Sequence, residues 1–155
     1  LRDIVIKELD FGIRYHVISL IKKDDILYDI INQVDDVDLQ IKALYGMKDE
    51  KTIIDVFSSV NNYRVKYEAI LMISNQNILE QMLQEETDYY VKSAIIKKIT
   101  SDIKLKDIIL SDENAYVKIE ALKQVKDKNL LREISNYNLD SCIKEELKKQ
   151  LGNEG

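Results

Sequence analysis

A 26-residue step in the apolar residues constrains this chain more than any other feature of its sequence. Val65, Val91 and Val117 stand 26 residues apart, and each is followed by a lysine. The same step leads upstream to Leu39 and Ile13 and downstream to Ile143. The residues four and eight positions after each of these six anchors are also apolar. Since these offsets fall on one face of a helix, each copy is predicted to contain an amphipathic helix.

A second helix in each copy is predicted from two further apolar columns with the same step. One column holds Leu1, Leu27, Ile53, Leu79, Leu105 and Leu131, and the other lies three residues further on, from Ile4 to Ile134. The chain then divides into six helix–turn–helix repeats with approximate bounds 1–22, 23–48, 49–74, 75–100, 101–126 and 127–155. Each helix has only about ten residues, below the roughly 12–15 that an isolated helix needs in water. The repeats must bury their apolar faces against one another, so we predict an all-α, single-domain α-solenoid over residues 1–155.

Short polar residues recur where the predicted helices begin. Three residues before the anchors stand Asp10, Asp36, Asn62, Asp88, Asn114 and Asp140, and the first helices carry Asp49, Asn75, Ser101 and Asp127, with Lys23 as an exception. Such side chains accept hydrogen bonds from the free N–H groups of a first turn, and we predict them as caps. Four residues after the caps of the second helices stand Arg14, Gln40, Lys66, Lys92, Lys118 and Lys144. This spacing favours pairing of a base with the acid that precedes it.

The composition narrows the function classes. Of the 155 residues 45% are apolar and 33% are charged, and the chain has no proline, which is typical of a soluble helical protein. The net charge of −5 argues against a dedicated nucleic-acid binder, and a single cysteine excludes an internal disulfide framework. No apolar run approaches the ~18 residues of a membrane span, and no signal-peptide pattern opens the chain. We therefore expect a cytoplasmic protein that binds no membrane.

One copy displays the order of features within a repeat most clearly. Leu105 and Ile108 are followed by Asn114, then by Val117 and Lys118, and then by Ala121 and Leu122. This order resembles the HEAT-like repeats of the armadillo-type α-α superhelix, whose second helix opens with Val-Arg or Val-Lys and continues with Ala and Leu. The resemblance implies a right-handed superhelix with the second helices lining a concave surface. The short period and the lack of proline also resemble the leucine-rich variant repeats, which share this architecture.

Residues that could carry catalysis or hold a metal are few and lie far apart. His16 is the only histidine and Cys142 the only cysteine, and they fall in the first and sixth repeats. Because stacked helices lie about 8–10 Å apart, we expect roughly 40–50 Å between them, too far for a nucleophile and its base. One histidine and one cysteine also leave a zinc site short of ligands. The acidic row Asp29, Asp55, Asp107 and Glu133 is interpreted as a solvated outer face, so we predict no catalytic, cofactor-binding or metal site.

The second helices carry unusual residues on the side opposite their buried stripe. Two and six positions after the anchors stand Tyr15, Ile41, Tyr45, Tyr67 and Leu71, and later Lys97, Ile119 and Lys123. A solvent-facing stripe is normally charged throughout, so these residues are predicted to form a binding groove. In the alternative interpretation, tight curvature buries them against adjacent helices. Tyr63, Tyr89, Tyr90 and Tyr116 follow the caps and are expected to pack over the turns.

The resulting hypothesis is a non-enzymatic protein–protein interaction or scaffolding module without a cofactor. Its partner is expected to place apolar anchors near Tyr45 and Tyr67 and acidic residues near Lys97 and Lys123. One alternative is nucleic-acid binding, as in DNA glycosylases with a similar fold. The lysines that motivate it are Lys22, Lys48, Lys97, Lys123 and Lys126. A second alternative is a lyase-type enzyme subunit, because bilin lyases carry similar repeats.

Overall fold

A computed structural model describes residues 1–8, 10–112 and 114–152 of the chain. Within these residues it contains twelve α-helices and no strand, which confirms the all-α prediction. None of the described helices combines the length and apolar character needed to cross a bilayer. The chain divides into two compact units, an N-terminal unit Leu1–Ser74 and a C-terminal unit Asn75–Gly155. This division coincides with the predicted boundary between the third and fourth repeats.

The N-terminal unit consists of two layers of helices. Its helices are α1 Arg2–Lys7, α2 Phe11–Leu20, α3 Asp24–Gln33, α4 Val37–Leu44, α5 Glu50–Ser59 and α6 Tyr63–Met72. In one layer α3 packs against α1 and α5, and in the other α4 packs against α2 and α6. Each odd-numbered helix also packs on the even-numbered helix that follows it.

The C-terminal unit repeats this arrangement. Its helices are α7 Gln76–Glu85, α8 Tyr89–Ile96, α9 Asp102–Ser111, α10 Ala115–Gln124, α11 Lys128–Ile134 and α12 Ser141–Gly152. Here α10 packs against α8 and α12, and α9 packs against α11. The even-numbered helices of the chain begin every 26 residues from Phe11 to Ser141, and the odd-numbered ones do so from Asp24 to Lys128. This packing is consistent with an α-solenoid, whereas the right-handed superhelix and the repeat count stay predictions.

The predicted apolar columns form most of the core. Leu39, Val65 and Val117 are fully buried, as are Ala69 and Ala121 four residues after the last two. Leu1, Ile4 and Ile13 are exposed and correct the prediction for the first repeat, whereas Ile108 and Leu151 of the same columns are half-buried. Within the N-terminal unit, α1 and α2 have packing neighbours on one side only, so part of their apolar surface stays uncovered.

Most of the predicted caps are present. The side chains of Asp10, Asp36, Asn62, Asp88 and Asn114 accept hydrogen bonds from first-turn N–H groups, and so do those of Asp49, Asn75, Ser101 and Asp127. Lys23 precedes α3 without a side-chain cap, as the sequence indicates. These bonds satisfy N–H groups that have no partner within the helix. Short helices can therefore begin at fixed points of each repeat.

The basic column that follows the caps makes other contacts than expected. The Arg14 guanidinium donates to the carbonyl of Val5 at 2.6 Å, and the Gln40 amide donates to the carbonyls of Ile31 at 3.0 Å and Val34 at 2.8 Å. In the C-terminal unit, Lys92 pairs with Asp112 and Lys118 with Asp140. Arg14 and Gln40 thus join the two helices of their own repeat, whereas Lys92 and Lys118 each reach an acid of the following repeat. Contacts of this kind could not be seen in an isolated helix.

A second interlock joins consecutive repeats. Asp24, the first residue of α3, accepts hydrogen bonds from the backbone N–H groups of Lys48 at 2.8 Å and Asp49 at 2.7 Å. Asp102 does the same for Lys126 at 3.3 Å and Asp127 at 2.9 Å. Glu50 accepts from the N–H of Ser74, and Gln76 accepts from the N–H of Thr100. We call Asp24, Glu50, Gln76 and Asp102 the loop clamp, because each fixes the loop that leads to the next odd-numbered helix.

Candidate binding surface

The exposed side of α2, α4 and α6 carries the apolar residues predicted for the groove. Tyr15, Tyr45, Tyr67 and Leu71 are 42%, 56%, 41% and 48% exposed, and Ile41 is half-buried. Four of the five are thus accessible, contrary to the alternative in which adjacent helices bury them. Because α4 packs between α2 and α6, the four exposed side chains belong to one layer of the N-terminal unit. We call these four residues the tyrosine surface.

Contacts with neighbouring side chains hold two of these rings in place. The Lys42 ammonium lies 4.7 Å from the centroid of the Tyr15 ring, which also contacts Phe11 at a centroid distance of 5.8 Å. The Tyr45 hydroxyl donates a hydrogen bond to the Glu68 carboxylate. This bond raises the pKa of Tyr45 above its ordinary value, and burial and the negative charge of Glu68 act in the same direction. Tyr45 consequently stays protonated and bonded to Glu68 at neutral pH.

A cavity of about 200 Å³ opens beside Tyr45, at the C-terminal ends of α2 and α4. Lys22 and Lys42 both line it, together with Ser19 and Tyr45, and no carboxylate is part of its lining. The Lys22 ammonium donates to the carbonyl of Ser19 at 2.9 Å. Within the described ranges, neither lysine takes part in an ion pair. We call this the lysine cavity.

The lysines predicted for the groove in the C-terminal unit share one carboxylate. Lys97 and Lys123 are exposed, but their ammonium groups lie 3.7 Å and 2.9 Å from oxygens of Glu120, while Ile119 is half-buried. The hydrogen bond to Glu120 is the main cause of the raised pKa of Lys123. Glu120 is not among the predicted groove residues, although its position three residues before Lys123 on one helix was a usable signal. This single carboxylate offsets part of the basic character expected here.

Three tyrosines of the C-terminal unit form an exposed cluster. The ring of Tyr89 lies 4.0 Å from that of Tyr90 and 5.9 Å from that of Tyr116, between ring centroids. Tyr90 and Tyr116 are 65% and 70% exposed, which corrects the expectation that these rings pack over the turns. The same correction applies to the exposed Tyr63. With Lys97, the cluster lines a shallow cavity of about 300 Å³.

The pKa of Tyr89 in this cluster is strongly raised. A hydrogen bond with Tyr90 is the largest cause that raises the pKa of Tyr89 to about 12. Partial burial and the negative charges that Tyr90, Tyr116 and Asp88 can carry add to it. Tyr89 therefore keeps its proton far into the alkaline range.

A further cavity of about 300 Å³ lies between α7 and α9. It contains Lys104, which pairs with Glu80 at 3.2 Å, and Lys92, which pairs with Asp112 at 2.9 Å. Asp107, predicted for the solvated outer face, is exposed at this cavity. We call it the outer cavity. Its cations are already neutralised by carboxylates of the chain itself.

The histidine and the cysteine considered for catalysis belong to different units. His16 is exposed on α2 of the N-terminal unit, and Cys142 is exposed on α12 of the C-terminal unit. In the acidic row, Asp29 pairs with Arg2 at 3.2 Å and Glu133 with Lys106 at 2.6 Å, while Asp55 is exposed. In the part of the chain that the structure describes, no group of three or more His, Cys, Asp or Glu side chains is placed to hold a metal ion.

Comparisons of the chain with protein-family models, with curated proteins and with solved structures find no match. The HEAT-like character therefore stays a resemblance carried by the repeated residues. A proposal of function for this chain therefore depends on its exposed side chains and their contacts.

Proposed function

We propose that this chain is a HEAT-like α-solenoid that serves as a non-enzymatic protein-interaction module, with the tyrosine surface as its partner-binding site. The observation that carries the proposal is the exposure of Tyr15, Tyr45, Tyr67 and Leu71 on three helices of one layer. Solvent-facing helix stripes are ordinarily polar, and contiguous exposed apolar residues mark interaction sites. Tyrosine is moreover enriched among the residues that dominate binding energies.

The contacts of these rings favour binding. Tyr15 is held by Lys42 and Phe11, and Tyr45 is held by Glu68, so both rings are ordered before a partner arrives. A side chain that is already fixed loses little rotamer entropy on association. The exposed faces of the rings can then bury apolar surface of the partner at little conformational cost.

Nucleic-acid binding is the second candidate, and the charges argue against it. Of the lysines that motivate it, Lys97 and Lys123 are paired with Glu120, and the whole chain carries a net charge of −5. A nucleic-acid surface needs several unpaired cations that follow the phosphates. A lyase-type subunit rests on the family resemblance alone. A single cysteine, exposed on α12, is compatible with a reducing compartment, and we propose a cytoplasmic location.

A comparison of variants in affinity capture tests the proposal. The wild-type chain, the Tyr45→Ala/Tyr67→Ala double variant and the control Ile103→Ala are immobilised, and bound proteins from the native source are quantified by mass spectrometry. Ile103 is an exposed apolar residue of α9 and leaves the tyrosine surface intact. We expect a partner that wild type and control retain and the tyrosine variant loses, while circular dichroism shows all three equally helical. Equal retention by all three would refute the binding site.

A further inference from the structure

The lysine cavity differs in charge from the outer cavity and from the cavity at the tyrosine cluster. The outer cavity contains two lysines with carboxylate partners, and the cavity at the tyrosine cluster contains Lys97 together with Glu120. Lys22 and Lys42 both line the lysine cavity, and no carboxylate is part of the lining. Two cations at one cavity without a counter-charge favour an anion from outside the chain.

Both lysines are positioned, and both keep donors available. An ammonium group has three donors, and Lys22 uses one for the carbonyl of Ser19. The Lys42 ammonium lies over the face of the Tyr15 ring. This cation–π contact orients the ammonium group and leaves its N–H groups available as hydrogen-bond donors. The nearby hydroxyls are occupied, since that of Ser19 donates to His16 and that of Tyr45 to Glu68. The two ammonium groups are therefore the donors that an entering anion would meet.

The immediate surroundings restrict which anion fits. The buried Ile18 and Ile21 also line the cavity, which suits the aliphatic stem of an acidic side chain. Leu20, next to Ile21, is half exposed and offers further apolar contact outside. A phosphodiester backbone would instead need a succession of cations along its path. The Glu68 carboxylate is bound to Tyr45 and is not part of the lining, so it does not fill the place of the anion.

We propose that the lysine cavity binds the carboxylate of a glutamate side chain in a partner peptide, whose flanking apolar residues lie on the tyrosine surface. This inference rests on the proposed function and adds the chemistry of the partner. It also moves the expected acidic contact from Lys97 and Lys123, which both pair with Glu120, to Lys22 and Lys42. The recognised segment is thus a glutamate between apolar residues.

Two pools of synthetic peptides test the inference by fluorescence anisotropy with the full chain. Both pools have mixed Leu, Ile, Val and Phe around a central residue, which is Glu in one pool and Gln in the other. A charge-assisted hydrogen bond predicts about tenfold tighter binding of the Glu pool by wild type. Lys22→Gln/Lys42→Gln should bind both pools alike. Lys22→Arg/Lys42→Arg changes the same two side chains but keeps their charges, so it should keep the preference for the Glu pool. Circular dichroism of both variants checks that they stay folded.

A control variant changes the net charge by the same amount but at two lysines outside the lysine cavity. Lys7 on α1 and Lys51 on α5 are exposed, and Lys7→Gln/Lys51→Gln should keep the preference for the Glu pool. Loss of the preference in this control, or tighter binding of a single-stranded thymidine oligonucleotide than of the Glu pool, overturns the inference. If wild type binds both pools equally and Tyr45→Ala/Tyr67→Ala weakens both, the inference fails while the proposed function stands. If neither pool binds, the inference fails and the proposed binding site loses its support as well.

Discussion

The hydroxyl of Tyr45 at the end of α4 donates a hydrogen bond to the carboxylate of Glu68 on α6. The bond spans two neighbouring helices of the even-numbered layer and fixes a ring that is more than half exposed. The Tyr45 side chain is therefore both exposed and held in place by a hydrogen bond. A side chain that only filled the core would be buried.

The raised pKa of Tyr45 predicts an alkaline loss of stability that depends on this bond. The folded chain holds the proton more tightly than the unfolded chain, so the contribution is complete below about pH 10 and falls as pH rises above it. In urea unfolding, wild type should lose more stability between neutral pH and the alkaline range than Tyr45→Phe, which cannot ionise there. Tyr67→Phe serves as the control and should follow wild type. Parallel curves for wild type and Tyr45→Phe would contradict the prediction.

The tyrosine cluster predicts one phenol with a very late titration. Carbon-13 resonances of labelled tyrosine side chains should show Tyr89 ionising near the value of about 12 given by its environment, well after exposed tyrosines. Tyr90→Phe removes the largest cause of the shift and should bring the pKa of Tyr89 back toward 10. An unchanged Tyr89 titration in that variant would show that the hydrogen bond with Tyr90 is not its cause.

The assignment of buried and exposed faces predicts that substitutions on the two faces differ strongly in their effect on stability. Ala69 and Ala121 are fully buried, so Ala→Asp at either position places an unpaired carboxylate in the core and should cost more than about 3 kcal/mol of the free energy of unfolding. Asp107 is exposed, and Asp107→Ala should change it by less than about 0.5 kcal/mol. Urea or thermal unfolding measures both. Equal effects of the two kinds of substitution would mean that the faces are misassigned.

The loop clamp predicts a cost at residues that look like ordinary surface acids. Asp24→Ala leaves the N–H groups of Lys48 and Asp49 without their acceptor, and we expect a loss of about 1–2 kcal/mol. The adjacent Asp25→Ala is the matched control, because Asp25 is exposed and its side chain accepts only from the next residue, Ile26. Amide hydrogen exchange should accelerate at Lys48 and Asp49 in the first variant alone. Similar exchange in both variants would show that the clamp does not protect the loop.

Salt dependence separates the two binding candidates. Association through the tyrosine surface depends mainly on apolar burial, so the partner complex should persist at physiological salt. Duplex DNA, in contrast, should not bind appreciably there. Lys97→Glu/Lys123→Glu should slow association of the partner more than it speeds dissociation, because these lysines are exposed charges that are not part of the tyrosine surface. Tight DNA binding that these two changes abolish would reverse the ranking.

The sequence predicted the periodic features well because they repeat with the helix. Anchors such as Val65 and caps such as Asp36 recur in one chemical type at a fixed step, and each acts within its own helix or repeat. The exposure of Tyr45 also followed from its place opposite the buried stripe.

The features that could not be predicted from the sequence depend on contacts between side chains of different helices. The loop clamp changes chemical type from Asp24 to Gln76, so no single residue marks its column. The lysine cavity joins Lys22 and Lys42 from different repeats, and their missing counter-charge can be seen only when all neighbours are placed. Charge compensation is a property of the neighbourhood and has no period along the chain.

The loop clamp has a consequence for how such a chain can change its length. Each clamp side chain accepts a hydrogen bond from a backbone N–H group, and the residues that offer it include Lys48, Ser74, Thr100 and Lys126. Gln76 also bonds the Thr100 hydroxyl and the Lys98 carbonyl. The recognition is largely one-sided, because the backbone of the receiving loop supplies a partner at each junction. A duplicated repeat would carry its own clamp side chain, which could bind the backbone of the loop that precedes the next odd-numbered helix. Duplication or deletion of whole repeats thus leaves every junction with the parts it requires.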